Sequence, residues 1–297
     1  VGLGGFVSAQ ARDEYFAAYE SAFTALPPAA ERFDVETAFG TARVYRFGAP
    51  GPSPMVLLHG RAGATVMWQP NLQAFVDRNG PVYSVDVIGE AGRSVQTAPI
   101  RDGADQAAWL STVLAELALE DVHLVGYSFG GWLAANYAVH EPSRLASLTL
   151  IEPVQTFARF TAGLIARSAL AVLPVVRRWG RPAFISWISD GAEVDVDDPV
   201  ARVIEEGMRT FRIGLPTPRV FTDAQLRDLR VPALVLLGGR SVMHDGRKAV
   251  ERARRLLVDA QCELWPSATH SIAGESAAAV NARVLAFLSS VERRGRE

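Results

Sequence analysis

A single cysteine, Cys262, excludes an internal disulfide and any thiolate metal cluster. Its neighbours Gln261, Glu263 and Leu264 fit a strand near the edge of a domain, where a small thiol serves as packing. No run of about 18 apolar residues occurs, so no membrane span is expected. Charge of neither sign dominates. Charged residues make up 21 % of the chain and the formal net charge is −2, which argues against nucleic acid or an anionic membrane as partner. The N-terminal stretch lacks the apolar core of a secretory leader, because Arg12, Asp13, Glu14 and Glu20 interrupt it. A soluble, cytoplasmic protein is the expectation. No internal repeat is visible.

What is present is material for a core. The 297 residues, 49 % of them hydrophobic, fit one large domain or a domain with an insertion. Residues 8–26 read as an N-terminal helix, with Tyr15, Phe16, Tyr19, Phe23 and Leu26 roughly on one face and Pro27-Pro28 ending it. Strand-like runs follow at 33–39 and 42–47, then at 54–58, 82–87, 122–126, 147–151, 233–237 and about 261–265. Helical patterns alternate with the later runs, at about 68–78, 104–118, 129–140, 245–257 and 275–291. Several of these runs are apolar on both faces. The alternation therefore predicts an α/β fold with a mostly parallel, doubly wound sheet covered by helices. About 80 residues between Ile151 and Val231 show no clear strand. A structureless loop of that length is improbable, so a helical cap is expected over 153–228, inserted after the sixth strand. Residues 1–152 and 229–297 then form the core.

Three stretches carry chemistry. In "HLVGYSFGGW", residues 123–132, a G-x-S-x-G pattern stands between an apolar strand and a helix. That context is the sharp turn that lifts a serine, Ser128, to a helix N-terminus, where the dipole favours developing negative charge. In "LLHGRAGATVMW", residues 57–68, a glycine-rich loop follows a strand. The backbone N–H groups of Arg61 and of Phe129 are the expected oxyanion donors. His59 is expected to brace this loop. In "PSATHSIAGE", residues 266–275, His270 lies between the last strand and the last helix, where a general base for Ser128 belongs. His123, His140 and His244 are read as non-catalytic, and Asp86 as structural.

These residues resemble the α/β-hydrolase superfamily from about residue 33 to 291. The stretches "VDVIGEAGRS", "GYSFGGWLAANYA", "VFTDAQLRDLRVPALVLLG" and "MWQPN" look more closely like the bacterial carboxylesterase NP group of serine esterases. The resemblance implies the α/β-hydrolase fold, a helical cap, and Ser128 and His270 as nucleophile and base.

The acid departs from that pattern. The usual carboxylate follows the strand at 233–237, where this chain has Gly238-Gly239-Arg240-Ser241. Serine supplies no negative charge to an imidazolium. Three alternatives remain. Glu152 stands at the tip of "SLTLIEPV", beside the nucleophile strand; Asp245 follows four residues after Ser241, where a helix N-cap is the plainer role; or no acid acts. The expectation is Glu152.

The resulting expectation is hydrolysis of a hydrophobic small-molecule ester through an acyl-enzyme, by a monomer or homodimer, without cofactor or metal. Trp68, Trp132, Phe157, Phe160 and Trp187 are candidate pocket walls, with packing as the plain alternative. An acyltransferase, thioesterase or cyclase on the same fold stays open, as does a ligand-binding homologue without catalysis.

Overall fold

The computed structural model describes residues 2–78, 80–171, 187 and 198–295. Its strands, in chain order, are β1 (Gly5–Phe6), β2 (Ala29–Thr37), β3 (Gly40–Phe47), β4 (Met55–Leu58), β5 (Val82–Val85), β6 (Val95–Gln96), β7 (Val122–Tyr127), β8 (Leu145–Ile151), β9 (Phe211–Arg212), β10 (Ala233–Gly238) and β11 (Ala260–Trp265). The helices are α1 (Ala9–Phe23), α2 (Gln69–Val76), α3 (Gly103–Glu116), α4 (Phe129–His140), α5 (Ala162–Ala171), α6 (Pro199–Thr210), α7 (Asp223–Asp228), α8 (Gly246–Leu256), α9 (Ile272–Glu275) and α10 (Ala277–Arg294).

Every residue of β4, β5, β7 and β10 is buried. Strands apolar on both faces need cover on both faces, and they have it. Trp109, Leu110 and Val113 of α3, Leu133 and Tyr137 of α4, and Val250 and Ala253 of α8 close one side. Tyr15 and Tyr19 of α1, Leu72 and Phe75 of α2, and Val284 and Phe287 of α10 close the other. The nine-stranded sheet runs β11-β10-β8-β7-β4-β5-β3-β2, with β6 on the side of β3. Strands β4, β5, β7, β8, β10 and β11 are parallel; β3 pairs antiparallel with β5, and β2 antiparallel with β3. From β4 the chain winds outward through β5, then returns to the other flank of β4 with β7, β8, β10 and β11. The direction of winding therefore reverses between β4 and β7, and open α/β sheets bind ligands beyond the carboxyl ends of the strands at such a point.

Two-residue strands β1, β6 and β9 are too short to show an alternating pattern, and the sequence reading misses them. The strand at 145–151 consequently stands eighth in the chain. The segment between β8 and β10 contains α5, α6, β9 and α7, so among its described residues it is chiefly helical. Residues 172–186 and 188–197 of the expected cap lie outside the described residues. The N-terminus reaches this segment. Gly5 and Phe6 pair antiparallel with Arg212 and Phe211, the Val7 N–H donates to the Thr210 carbonyl at 2.8 Å, and Arg209 pairs with Glu14 at 2.7 Å.

His123 lies buried near the start of β7, at the opposite end of the strand from Ser128. Its Nδ1 is 2.7 Å from Ser147 Oγ, and its Nε2 faces Glu292 at 3.4 Å, which also pairs with Arg78. Burial, and then the positive charge of Arg78, push its pKa down to about 4. As pH falls from the ordinary value of 6.5 toward 4, the unfolded chain takes up a proton that the folded chain refuses. Stability therefore drops with pH over that window, by up to about 1.4 kcal/mol per unit. Urea unfolding at pH 7 and pH 4.5 should show this drop in the native chain and a smaller one in His123→Gln; equal drops would refute the assignment to His123.

Candidate active site

Ser128, His270 and Glu152 meet at the sheet edge, beyond the carboxyl ends of β7 and β8. Ser128 follows β7 in a left-handed backbone conformation, φ 55°, ψ −115°, and begins α4 as its N-cap. A non-glycine residue with such a φ is strained, and the neighbouring glycines permit the turn. A Cβ on Gly126 would lie 2.2 Å from the Gly130 carbonyl oxygen, and one on Gly130 would lie 2.0 Å from that of Leu58. The turn thus closes against its own helix and against β4, and the serine is held out at the sheet edge. Its N–H remains tied to the Ile151 carbonyl at 2.9 Å, so the elbow is anchored to β8.

His270 Nε2 stands 2.9 Å from Ser128 Oγ, and His270 Nδ1 stands 2.8 Å from Glu152 Oε2. With a carboxylate on Nδ1, the ring carries its proton there, and Nε2 is free to accept from the serine hydroxyl. All three side chains are buried, Glu152 completely. Tyr127 supports His270: its hydroxyl donates to the His270 carbonyl at 2.9 Å, and its ring stacks on the imidazole at 5.7 Å. Glu275 holds the same loop by accepting from the Thr269 N–H at 2.6 Å and the Thr269 hydroxyl at 2.9 Å. Neither Tyr127 nor Glu275 stood out in the sequence reading. Tyr127 is the variable residue just before the serine, and Glu275 is one of many carboxylates at a helix end.

Glu152 sits one residue beyond β8, itself at φ 47°, with its N–H bonded to the Leu236 carbonyl at 2.8 Å. Strands β8 and β10 are neighbours, with Ile151 paired to Leu236. The carboxylate therefore lies against the tip of β10. Oε1 accepts from the Gly238 N–H at 2.7 Å, and Oε2 accepts from the Ser241 hydroxyl at 2.7 Å. Burial alone would raise the Glu152 pKa, but the facing imidazoles of His244 and His270 outweigh it and hold the carboxyl well below its usual range. A buried carboxylate needs such partners to remain ionised.

Asp245 is elsewhere. It caps α8, accepting from the Lys248 N–H at 3.1 Å and pairing with the Lys248 ammonium. Ser241, at the usual place of the acid, donates its hydroxyl to the Glu152 carboxylate.

The loop after β4 lies beside the serine. A Cβ built on Gly60 would be 3.2 Å from Ser128 Cβ. His59 braces the loop: its Nε2 accepts from the Val87 N–H at 2.9 Å, and its Nδ1 lies 2.7 Å from the Gly60 carbonyl. The Arg61 side chain pairs with buried Glu90, and its guanidinium lies 3.9 Å from the centre of the Phe129 ring. The two expected oxyanion donors are thus held together through their side chains. Asp86 is buried and accepts from the Thr65 N–H, the Arg93 N–H and the Tyr19 hydroxyl, at 2.8, 2.8 and 3.1 Å.

The aromatic candidates divide. Trp68 is buried in the core beside Phe75 and Tyr127. Trp132 stacks between Phe129 and Phe221, and its indole N–H donates to the Arg219 carbonyl at 2.9 Å. Phe157 lines a groove of about 780 Å³ with Phe221, Lys248 and Arg252, and none of Ser128, Glu152 and His270 forms its walls. Phe160 packs on the core, and the half-buried Trp187 lies under the Arg167 guanidinium at 4.7 Å. Among the described residues, no three His, Cys, Asp or Glu side chains gather as a metal-binding group, and no helix is long and apolar enough to cross a membrane.

Comparison with known proteins agrees with this architecture. Residues 53–174 match the model of the alpha/beta hydrolase fold family. Carboxylesterase YbfK of Bacillus subtilis is 31 % identical over 290 residues, covering 95 % of this chain and 96 % of that one. The crystal structure of naproxen esterase (carboxylesterase NP) from B. subtilis superposes with a TM-score of 0.85 at 28 % identity, covering 94 % of this chain and 99 % of that one. The crystal structure of carboxylesterase CesB (YbfK) from the same organism gives 0.85 at 30 % identity, with the same coverage. The chain belongs to the α/β-hydrolase fold family, and within it is similar over nearly its whole length to carboxylesterases.

Proposed function

We propose that the protein hydrolyses carboxylic esters of hydrophobic small molecules by nucleophilic catalysis. The observation that carries this reading is the hydrogen-bonded series from Ser128 Oγ through His270 to Glu152, at 2.9 and 2.8 Å. Ser128 Oγ attacks the ester carbonyl carbon while its proton passes to His270 Nε2. Glu152 stabilises the resulting imidazolium through Nδ1–H. The negative oxygen of the tetrahedral intermediate accepts from the backbone N–H groups of Phe129 and Arg61. When the carbon–oxygen bond to the alcohol breaks, His270 returns the proton to the leaving alcohol. Water, deprotonated in turn by His270, attacks the acyl-enzyme and releases the acid and free Ser128. The full-length likeness to carboxylesterases, one of them named as a naproxen esterase, supports an aryl or other bulky apolar acyl group as substrate.

A fluorophosphonate probe tests the nucleophile directly. It should form one adduct per chain, on Ser128, with parallel loss of turnover of short-chain nitrophenyl esters. Absence of both labelling and turnover would sink the esterase reading.

A further inference from the structure

The Glu152 carboxylate faces a second imidazole. His244, in the loop between β10 and α8, is 2 % exposed, and its Nε2 lies 3.4 Å from Glu152 Oε1. Neither of its ring nitrogens has a hydrogen-bond partner among the described residues. A buried imidazole left in that state is costly, and the group its Nε2 faces is an anion. The other donors to Glu152 are already placed. Gly238 N–H serves Oε1, while Ser241 and His270 share Oε2. A carboxylate has about four lone-pair positions, and three are filled at 2.7 to 2.8 Å. The fourth, on Oε1, is open, and Oε1 is the atom that His244 Nε2 faces at 3.4 Å.

We propose that His244 is a positioning residue for the triad, donating its Nε2–H to Glu152 Oε1 and so fixing the carboxylate plane that orients His270. The contact, at 3.4 Å, is longer than an ordinary hydrogen bond, and catalytic contacts of this kind commonly tighten only in the reacting complex. Deleting it frees the carboxylate to turn about its terminal bond. The imidazolium is then less well matched in the transition state, while the substrate is bound as before. The effect therefore falls on kcat and spares KM. The inference rests on the reading of Glu152 as the triad acid.

The test compares His244→Phe, which keeps an apolar ring, His244→Met, a second non-donor of different shape should the first not fold, and His244→Gln, which retains an N–H donor. Each is made in the native chain and in Glu152→Gln. With nitrophenyl butyrate, the non-donor variants should lose about tenfold in kcat with KM within about twofold, and Gln should restore most of it. The downfield proton resonance of His270 Nδ1–H should move in Phe and Met and return in Gln. In the Glu152→Gln background, the His244 changes should have no further effect on kcat. Native kcat in the folded non-donor variants, with only the melting temperature lowered, would show that His244 merely packs and would overturn the proposal alone. Native kcat in Glu152→Gln would overturn the proposal together with the triad reading beneath it.

Discussion

In Ser128→Ala, kcat for nitrophenyl esters should fall by about 10⁶, and the double variant with His270→Ala should fall no further. The two side chains act as one device. Without the hydroxyl, the imidazole has no nucleophile to activate; without the imidazole, the hydroxyl keeps its proton. Their 2.9 Å separation is what makes the losses overlap instead of adding. The fold should be preserved, because the turn is held by Gly126, Gly130 and the Ser128 N–H, none of which depends on the hydroxyl. Far-UV circular dichroism and the melting temperature should match the native protein. A folded Ser128→Ala retaining one hundredth of native kcat would mean that another nucleophile acts.

Glu152→Gln should lower kcat by about 10⁴ with KM nearly unchanged, whereas Asp245→Asn should stay within about twofold. The amide keeps the shape but loses the charge, and its NH₂ group can donate to Nδ1. That stabilises the tautomer protonated at Nε2, which cannot accept from Ser128. Asp245 has no such influence, because its oxygens serve the first turn of α8. The same residue leaves a trace in stability. The folded-state pKa of Glu152 is depressed, so its stabilising contribution is complete above the ordinary value of 4.5 and is lost as pH falls below it. The Gln variant should lack that acid component of the unfolding profile. Equal kinetics for Glu152→Gln and the native protein would require another acid.

The inner strands were readable because burial on both faces demands continuous apolar runs, as in "MVLL" and "ALVLLG". Pairs such as Gly5–Phe6 and Phe211–Arg212 were not, since two residues contain no period; they exist because the chain ends of distant segments meet. Ser128 and His270 announced themselves through local context, a strand–turn–helix and a post-strand loop. Glu152 was readable as a charge at the end of an apolar strand. Its relation to His244 was not, because it depends on how the loop after β10 folds back over the tip of β8. The aromatic residues left pocket wall and packing both open. Trp68 lies close in sequence to the loop beside Ser128, yet it is consumed by core packing against Phe75 and Tyr127.

The hydrogen bond between Ser241 and Glu152 also constrains ancestry. In the pattern this chain resembles, the acid follows β10, at the place of Ser241. An aspartate there would set a second carboxylate against Glu152, where one oxygen now accepts from a hydroxyl at 2.7 Å. Two carboxylates in that space cannot both ionise, and one would take up a proton. Relocating the acid between neighbouring strand tips is therefore not a neutral drift through a doubly acidic intermediate. A lineage crossing in one order passes through an acid-free Ser–His pair, and in the other through a proton-sharing pair with an altered pH range.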